Sequence, residues 1–274
     1  MKTELLLAAA LLAAGSPGRL AAQDSQFGIA GLGTPERGES VRARATAGAF
    51  GLFDPLSPMA DAAVVALQRL TASASGATSY RTVELGGETA ELRSTRFPAL
   101  TVGGPVFGRV RAAGGFTAYL GRSYRIETRD SVVLRGEVEP YTDEIASDGG
   151  VTDLRVAAAL PLTRRLVIGG SLHLLTGSTR ATAIRRFDDS LAYRPASYVD
   201  ELRYEGLGGS ASVLLDLGRG LQVAAYVRSD TRLEYRGSGT SGAYDLPVSV
   251  GGGAAWRPSD RVALAAAAHR RTWS

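Results

Sequence analysis

Few residues of this chain have side chains that are typical of catalytic sites, and His173 is the strongest candidate among them. The chain contains two histidines and no cysteine, so a cysteine nucleophile, thiolate metal sites and disulfides are excluded. His173 and Ser171 are two positions apart, which puts both side chains on the same face of a strand. A histidine base beside a serine hydroxyl is the core of a nucleophilic hydrolase site. The competing interpretation, which is favoured for both His173 and His269, is a polar side chain lining an interior.

No catalytic or nucleotide-binding motif accompanies these residues. The sequence has no G-x-S-x-G, no H-E-x-x-H and no P-loop, and the glycines of residues 28–33 (GIAGLG) have the wrong order for a dinucleotide fingerprint. Four acids, Asp188, Asp189, Asp200 and Glu201, could bind a cation such as calcium, but a solvated loop is favoured. We therefore predict that the chain is not an enzyme and has no metal or cofactor.

Composition narrows the class of protein. Hydrophobic residues are 45% and charged residues 21% of the 274 positions, and the mean hydropathy is +0.00. These values exclude a disordered chain, and the mean hydropathy is too low for a bundle of transmembrane helices. The formal net charge is +4, but arginines are interleaved with acids instead of clustered, so a nucleic-acid surface is not expected.

Residues 1–22 are predicted to be a signal peptide. Lys2 supplies the positive start, and residues 5–14 (LLLAAALLAA) form an apolar core that is too short to span a bilayer. Small residues at 20–22 (LAA) mark the cleavage site and leave Gln23 as the mature N-terminus. The mature protein is therefore exported, and it is soluble in the periplasm, secreted or a β-barrel.

The period of the side chains decides the fold class, and residues 221–235 (LQVAAYVRSDTRLEY) show it best. Apolar and polar side chains alternate with a period of two, which predicts a strand. The apolar face carries Leu221, Val223, Ala225 and Val227, and the polar face carries Tyr226, Arg228 and Asp230. At about 3.3 Å per residue this unbroken run is roughly 50 Å long, which suits a tilted strand that crosses a membrane. We therefore expect the apolar face to meet lipid and the polar face to line a lumen.

The same alternation recurs along the chain, and its connectors fall into two classes. Alternating runs occupy residues 109–127, 132–139, 153–160, 166–174, 207–216, 246–256 and 261–274. Short turns rich in Pro, Gly or Asp are expected at 160–165, 216–220 and 257–261, and longer polar loops at 139–150, 178–203 and 236–244. Short turns at one end and long loops at the other are typical of outer-membrane barrels. The predicted fold class is all-β, a transmembrane antiparallel β-barrel of about nine or ten strands.

Three parts of the sequence resemble the long-chain fatty acid transporter (FadL-like) family of outer-membrane proteins. They are residues 27–33 (FGIAGLG) with 40–54 (SVRARATAGAFGLFD), residues 96–105 (RFPALTVGGP) and residues 254–264 (AAWRPSDRVAL). The resemblance implies an N-terminal plug segment at 23–70 and an outer-membrane barrel at 71–274. Where the family carries Asn-Pro-Ala after the plug's Gly-Ala stretch, this chain has Asp54-Pro55-Leu56. Family barrels have more strands than this chain supplies, so an incomplete barrel, truncated at the C-terminus, is expected, with a smaller complete barrel as the alternative.

The resemblance implies a function as well as a fold. That function is an outer-membrane channel for passive uptake of long-chain fatty acids or other hydrophobic compounds, without ATP. The expected partners are hydrophobic small molecules and outer-membrane lipid, with no nucleic acid. Two alternatives stay open: a barrel that acts as a structural or secretion-system subunit without transport, and an outer-membrane lipid hydrolase that uses His173.

A ligand path is assigned to six residues: Phe50, Leu52, Phe53, Tyr226, Arg228 and Arg232. In the plug that the resemblance implies, the apolar side chains among them offer a surface to an acyl chain or pack the plug against the wall. Arg228 and Arg232 are expected to face the lumen. There they attract a carboxylate headgroup or form a ladder of salt bridges with Asp230 and Glu234.

Overall fold

Most of the chain consists of strands, because side chains alternate in type along it. The computed structural model describes residues 32–35, 40–85, 88–189 and 192–271. Its strands are β1 (Thr34–Pro35), β2 (Thr71–Leu85), β3 (Glu88–Phe107), β4 (Val110–Gly121), β5 (Tyr124–Leu134), β6 (Glu137–Pro161), β7 (Leu166–Phe187), β8 (Ala196–Gly218), β9 (Leu221–Arg236), β10 (Ser241–Asp245), β11 (Ser249–Ser259) and β12 (Val262–Arg271). The predicted all-β class is confirmed for these residues, whereas the predicted signal peptide at 1–22 lies outside them.

The twelve strands of the described residues form one antiparallel sheet. Nine of them follow the path β12-β11-β9-β8-β7-β6-β4-β3-β2. The other three pair beside this path, β1 with β4, β5 with β6 and β10 with β9. The count of nine or ten strands expected from the sequence therefore fits the main path and falls short of the whole sheet, because β1 and β10 have only two and five residues.

The short connectors are turns, as predicted, but the long polar connectors are mostly strand. Strands β8 and β9 meet at Arg219 and Gly220, whose φ angles of 53° and 76° are those of a two-residue hairpin turn. β6 covers all of the predicted loop 139–150, and within the predicted loop 178–203 β7 takes up residues 178–187 and β8 residues 196–203. This part of the prediction is wrong because the ladder of backbone hydrogen bonds continues where polar residues stand on both faces and hide the alternation.

The sheet is rolled, so that strands far apart in its order face each other. Tyr119 on β4 donates its hydroxyl to Asp230 Oδ2 on β9 at 3.0 Å. Four strand-to-strand steps separate β4 from β9. In a flat sheet those steps would cover roughly 19 Å at about 4.8 Å each. Only a curvature that brings the two strands across an interior from each other allows this hydrogen bond.

The rolled sheet carries exposed apolar side chains on its outer face, and its inner face holds buried polar side chains beside buried apolar clusters. Large apolar side chains are exposed on the outer face of the central strands, among them Leu154, Leu174, Leu207, Val223 and Val227. Val156 and Leu172 are 69% and 75% exposed, whereas their inward neighbours Arg155 and His173 are 6% and 1% exposed. A sheet with one face in water has the opposite arrangement. The assignment of residues 221–230 to two faces is thus confirmed, with the apolar side chains outside.

Residues 40–70, called the inner segment below, pack against the polar inner face. They contain helix α1 (Val41–Ala45) and a 3-10 helix (Ala62–Ala66). The hydroxyl of Ser40 caps α1 by accepting from the backbone N–H of Ala43 at 3.2 Å. None of the helices in the described ranges is long and apolar enough to cross a membrane.

Glycines in the sheet let the inner segment approach it closely. A Cβ on Gly169 would lie 2.3 Å from Ala62 N, and a Cβ on Gly103 would lie 2.7 Å from Leu67 Cδ1. The backbone N–H of Ala62 donates to Ser212 Oγ on β8 at 2.7 Å. The 3-10 helix also belongs to a buried apolar cluster of Val64, Leu67, Ala113, Ala157 and Ala159. Small residues on β3, β4, β6 and β7 therefore form the surface against which the inner segment packs.

Candidate functional site

Two neighbouring rows of inward side chains concentrate polar groups on strands β6 to β9. Strand register aligns Arg155, His173, Gly208 and Asp230 in one row, and Ser171, Ser210 and Arg228 in the next. Gly208 leaves room for the Asp230 side chain, since a Cβ at that position would lie 2.1 Å from Asp230 Oδ1. Because register in a rolled sheet stacks such rows, polar residues far apart in sequence meet at one level of the interior.

His173 is the centre of this network and is almost completely buried. Its Nδ1 lies 2.9 Å and 3.0 Å from the two carboxylate oxygens of Asp153. Its Nε2 lies 2.8 Å from Ser171 Oγ and 3.1 Å from Ser210 Oγ, and the two hydroxyl oxygens are 2.6 Å apart. An ionised carboxylate only accepts hydrogen bonds, so Asp153 requires a hydrogen on Nδ1. The order Asp153, His173, Ser171 is that of a hydrolase triad.

The inner segment enters the network through Asp61. Ser210 Oγ donates to Asp61 Oδ2 at 2.6 Å, and Arg155 Nη2 donates to Asp61 Oδ1 at 2.6 Å. Arg155 Nη1 also donates to the backbone carbonyl of Ser57 at 3.1 Å. Both Asp61 and Arg155 are buried, so their attraction is little screened by solvent. These three hydrogen bonds tie the inner segment to β6 and β8.

Arg228 joins two buried carboxylates. Its Nη1 donates to Asp153 Oδ2 at 2.7 Å, and its Nε donates to Asp230 Oδ2 at 2.9 Å. The guanidinium carbon lies 5.1 Å from the centre of the Tyr119 ring, a cation–π distance. Of the two roles expected for Arg228, the structure shows the ion pair with Asp230. Each carboxylate has two partners, as a buried ion needs if its desolvation is to be offset.

Three of the other ligand-path residues come together in an apolar cluster between the inner segment and the sheet. Leu52 and Tyr226 are buried there with Ala224, and Phe53, Met59, Leu214 and Ala267 pack around them. Phe50 is also buried, and the guanidinium of Arg42 lies 4.6 Å from its ring centre. The contacts shown are packing of the inner segment, one of the two roles expected for these side chains.

Arg232 does not join the site. β9 has one residue more than β8 between Asp230 and Leu233, and such a bulge exchanges the two faces of a strand. Leu233 is therefore buried, while Arg232 is 68% exposed and its Nε lies 3.0 Å from Asp245 Oδ1. The prediction that Arg228 and Arg232 share the inner face is wrong for this reason.

Two of the four acids considered for a cation are paired with arginines. Arg129 donates to Asp188 at 2.5 Å, and Arg203 donates to Glu201 at 3.2 Å. Within the part of the chain that the structure describes, no group of three or more His, Asp or Glu side chains is placed to hold a metal ion. The polar network around His173 is consequently the candidate functional site.

Several members of this network were missed in the sequence. Asp153 and Arg155 stand on the polar face of an alternating run and were visible as such, but nothing paired them with His173. No sequence pattern indicated a role for Asp61, because its partners Arg155 and Ser210 are 94 and 149 residues away in sequence. Contacts of this range depend on strand register and on the roll of the sheet.

Fold and site together define the class of this protein. It is a rolled antiparallel sheet with an apolar outer face and a buried polar network that holds an inner segment. Comparison with protein-family models, with curated proteins and with solved structures finds no match to this chain. The resemblance to the fatty acid transporter family therefore rests on the sequence stretches quoted above.

Proposed function

We propose that this chain is an outer-membrane β-barrel that lets hydrophobic molecules, such as long-chain fatty acids, cross the membrane passively. The observation that supports it is the arrangement of the two faces of the sheet, with exposed apolar side chains outside and buried polar side chains inside. Exposed Val156 and Leu172 alternate with buried Arg155 and His173, which is the pattern of strands with lipid outside and a polar lumen inside. In water, a continuous apolar outer face would cause the protein molecules to associate. In a bilayer the same face is in contact with lipid, which is the stable arrangement.

The inner segment is the plug of this barrel. The inner segment is attached to the sheet mainly through Asp61. Its hydrogen bonds with Arg155 and Ser210 can be exchanged for hydrogen bonds with water when the segment moves. Beside them, Leu52, Phe53 and Tyr226 form an apolar surface along which an acyl chain can pass. A polar lipopolysaccharide layer slows apolar solutes, so a protein path with such a surface helps them across.

Uptake into proteoliposomes tests the proposal. The purified chain is reconstituted, labelled oleate is added outside, and albumin inside the vesicles traps the oleate that enters. We expect oleate to enter faster than into protein-free liposomes, while a hydrophilic dye of similar size stays outside because the plug fills the lumen. Equal oleate rates with and without protein would contradict the channel, and rapid entry of the dye would contradict the plug.

A lipid hydrolase is the second candidate, because Asp153, His173 and Ser171 have the spacing of a triad. Ser171 is buried, however, and its neighbour Ser210 is bonded to Asp61, so an ester carbonyl has no approach in this arrangement. A fluorophosphonate probe separates the two functions. Labelling that disappears in Ser171→Ala would support the hydrolase, whereas an unlabelled chain that takes up oleate supports the channel.

A further inference from the structure

We propose that the short-turn end of the sheet binds phospholipids with anionic headgroups, and that a groove between the inner segment and the β11–β12 turn holds one headgroup phosphate. The proposal names a partner of the proposed barrel and rests on its location in a membrane, but its test measures lipid binding and not transport. Two features of the described turns lead to it: arginines that lack a carboxylate partner there, and exposed apolar side chains next to them.

The short turns of the sheet carry a concentration of positive charge. Four of them join β3 to β4, β6 to β7, β8 to β9 and β11 to β12, and strand register places all four at the same end of the sheet. Asp260 is the one exposed acid in or beside these described turns. Six exposed arginines, called the basic rim below, stand in or beside them: Arg109, Arg164, Arg165, Arg219, Arg257 and Arg261.

Backbone hydrogen bonds join neighbouring turns into one continuous edge. The N–H of Asp216 donates to the carbonyl of Arg165 at 2.8 Å, and the N–H of Arg257 donates to the carbonyl of Gly220 at 2.9 Å. Arginines from three of the four turns therefore stand next to each other along the rolled edge of the sheet.

The basic rim is not neutralised by the chain itself. Within the described ranges, none of its six arginines forms an ion pair. Arginines at the opposite end of the strands do: Arg203 Nε lies 3.2 Å from Glu201 Oε1, and Arg236 Nη2 lies 3.3 Å from Glu234 Oε2. Like charges gathered at one end repel each other and attract anions from outside the chain.

An exposed apolar side chain precedes an arginine by one or two positions in each of the four turns. The stretches are 107–109 (FGR), 162–164 (LTR), 217–219 (LGR) and 256–257 (WR). Phe107 is 81% exposed, Leu217 50% and Trp256 45%. At a membrane interface such apolar groups meet the acyl chains while guanidinium groups reach the headgroups. An acidic protein would need only the charges, so the apolar side chains favour a lipid surface.

The basic rim includes an open groove of about 450 Å³. Arg42 of α1 lines it on one side, and Arg257 and Arg261 line it on the other, with Asp260 between them. The guanidinium carbon of Arg42 lies 4.6 Å from the centre of the Phe50 ring, a cation–π contact that fixes it beside the groove. Guanidinium groups bind phosphate oxygens through paired hydrogen bonds. One headgroup phosphate in the groove would therefore contact the inner segment and the sheet together.

Quenching of tryptophan fluorescence by brominated lipids tests the proposal at the rim itself. The chain has two tryptophans, and Trp273→Phe leaves Trp256, next to Arg257, as the reporter. This parent chain is reconstituted in bilayers that mix phosphatidylglycerol with phosphatidylcholine, and bromine on one lipid or the other gives their relative affinity near Trp256. We expect phosphatidylglycerol to be preferred at least about fivefold, the contribution of a single arginine close to an anionic membrane surface.

Substitutions in the groove separate it from the rest of the protein. The triple variant Arg42→Gln, Arg257→Gln and Arg261→Gln should bind both lipids equally. Arg203→Gln with Arg236→Gln, at the opposite end, is the matched control and should keep the preference. A heat-dependent shift on a gel shows which variants are folded, and Arg257→Gln alone, expected to lower the preference about fivefold, replaces a triple variant that does not fold. Equal affinities in the parent, or a preference that survives these substitutions, overturn the proposal.

Inorganic phosphate distinguishes a lipid headgroup from a soluble anion. At the same ionic strength, set with sodium chloride in the reference sample, added phosphate should leave the preference for phosphatidylglycerol unchanged. A headgroup in the bilayer is held at the rim at a high effective concentration, which dissolved phosphate does not reach. Loss of the preference in phosphate but not in chloride would make the groove a site for a soluble anion and overturn the lipid proposal.

These outcomes are separate from those of the transport assay. A chain that prefers phosphatidylglycerol and moves no oleate contradicts the proposed channel alone. A chain that moves oleate and binds both lipids equally contradicts the lipid proposal alone. A Trp256 that neither brominated lipid quenches contradicts the membrane location on which both proposals rest.

Discussion

Arg228 and Arg232 stand on one strand and face opposite sides of the sheet. The bulge between Asp230 and Leu233 separates them, and their surroundings differ accordingly. The Arg228 side chain is 14% exposed and contacts two buried carboxylates, whereas Arg232 is 68% exposed and contacts one exposed carboxylate. Two residues of the same type therefore form a matched pair of substitution sites.

Arg228→Ala should strongly destabilise the fold, because it leaves Asp153 and Asp230 buried without their cation. Removing one partner of a buried ion pair costs about 3–5 kcal/mol. Arg232→Ala should cost far less, since its pair with Asp245 is exposed and screened by solvent. Urea unfolding of both variants in the same detergent compares the free energies of unfolding. Equal losses would mean that the network around Asp153 contributes no more than a surface pair.

Gly169→Ala should displace the inner segment without disturbing the strand. The added Cβ would lie 2.3 Å from the backbone nitrogen of Ala62, and a backbone atom cannot rotate away as a flexible side chain can. Overpacking of this kind costs about 1–3 kcal/mol. Hydrogen exchange of the Ala62–Ala66 helix, followed by mass spectrometry, should become faster.

Gly209→Ala is the matched control for this change. Its Cβ would lie 3.8 Å from the nearest atom, Ser171 O, which is an ordinary contact. Exchange in the inner segment should stay at the wild-type rate. Equal protection of the segment in Gly169→Ala and Gly209→Ala would show that the close approach at Gly169 does not hold it.

Val223→Arg should impair assembly if the outer face lies in lipid. Val223 is an exposed apolar side chain on the outer face of β9. An arginine near the bilayer midplane of a barrel costs about 2–4 kcal/mol, and the cost falls toward the interfaces. Thr163→Arg, in the exposed turn between β6 and β7, should assemble normally. The folded fraction in lipid vesicles, read from the heat-dependent shift on a gel, gives the comparison, and equal fractions would argue against a lipid-facing β9.

The Asp143–Arg185 pair, near the start of β6 and the end of β7, predicts a pH dependence. Two hydrogen bonds of 2.7 Å from Arg185 hold the pKa of Asp143 below its ordinary value. A lowered carboxyl pKa stabilises the fold at pH values above the unfolded pKa, and this contribution disappears as the pH falls through the folded pKa. In Arg185→Gln, Asp143 should therefore titrate at a higher pH in a carboxyl NMR titration.

Arg186→Gln is the control for that titration. Arg186 is next in sequence but its partner is Glu144, at 3.0 Å. Its removal should leave the titration of Asp143 where it is in the wild type. If Arg186→Gln and Arg185→Gln shift Asp143 equally, general positive charge and not the paired hydrogen bonds determines its protonation.

The strands and their faces were open to prediction because they depend on local properties. A period of two along 221–230 fixes which side chains share a face, whatever the rest of the chain does. The short turns followed in the same way from Pro, Gly and Asp at the ends of such runs. The predictions of a signal peptide, a membrane and a transported ligand stay predictions.

The tertiary structure decided the rest, because it depends on register and curvature. One extra residue in β9 moved Arg232 to the outer face and put Leu233 inside, and no local pattern distinguishes a bulge from a simple fade of the alternation. The polar ends of β6, β7 and β8 became strand because they had partners to pair with.

The candidate site shows most clearly which features the sequence determined and which the tertiary structure decided. The sequence alone determined that His173 and Ser171 share a face, since that requires only a strand. It did not determine that Asp153 would contact Nδ1 of the His173 ring or that Asp61 would accept a hydrogen bond from Ser210. Those contacts join residues from separate strands and from the inner segment, and they exist only because the sheet rolls and its rows of side chains come into register.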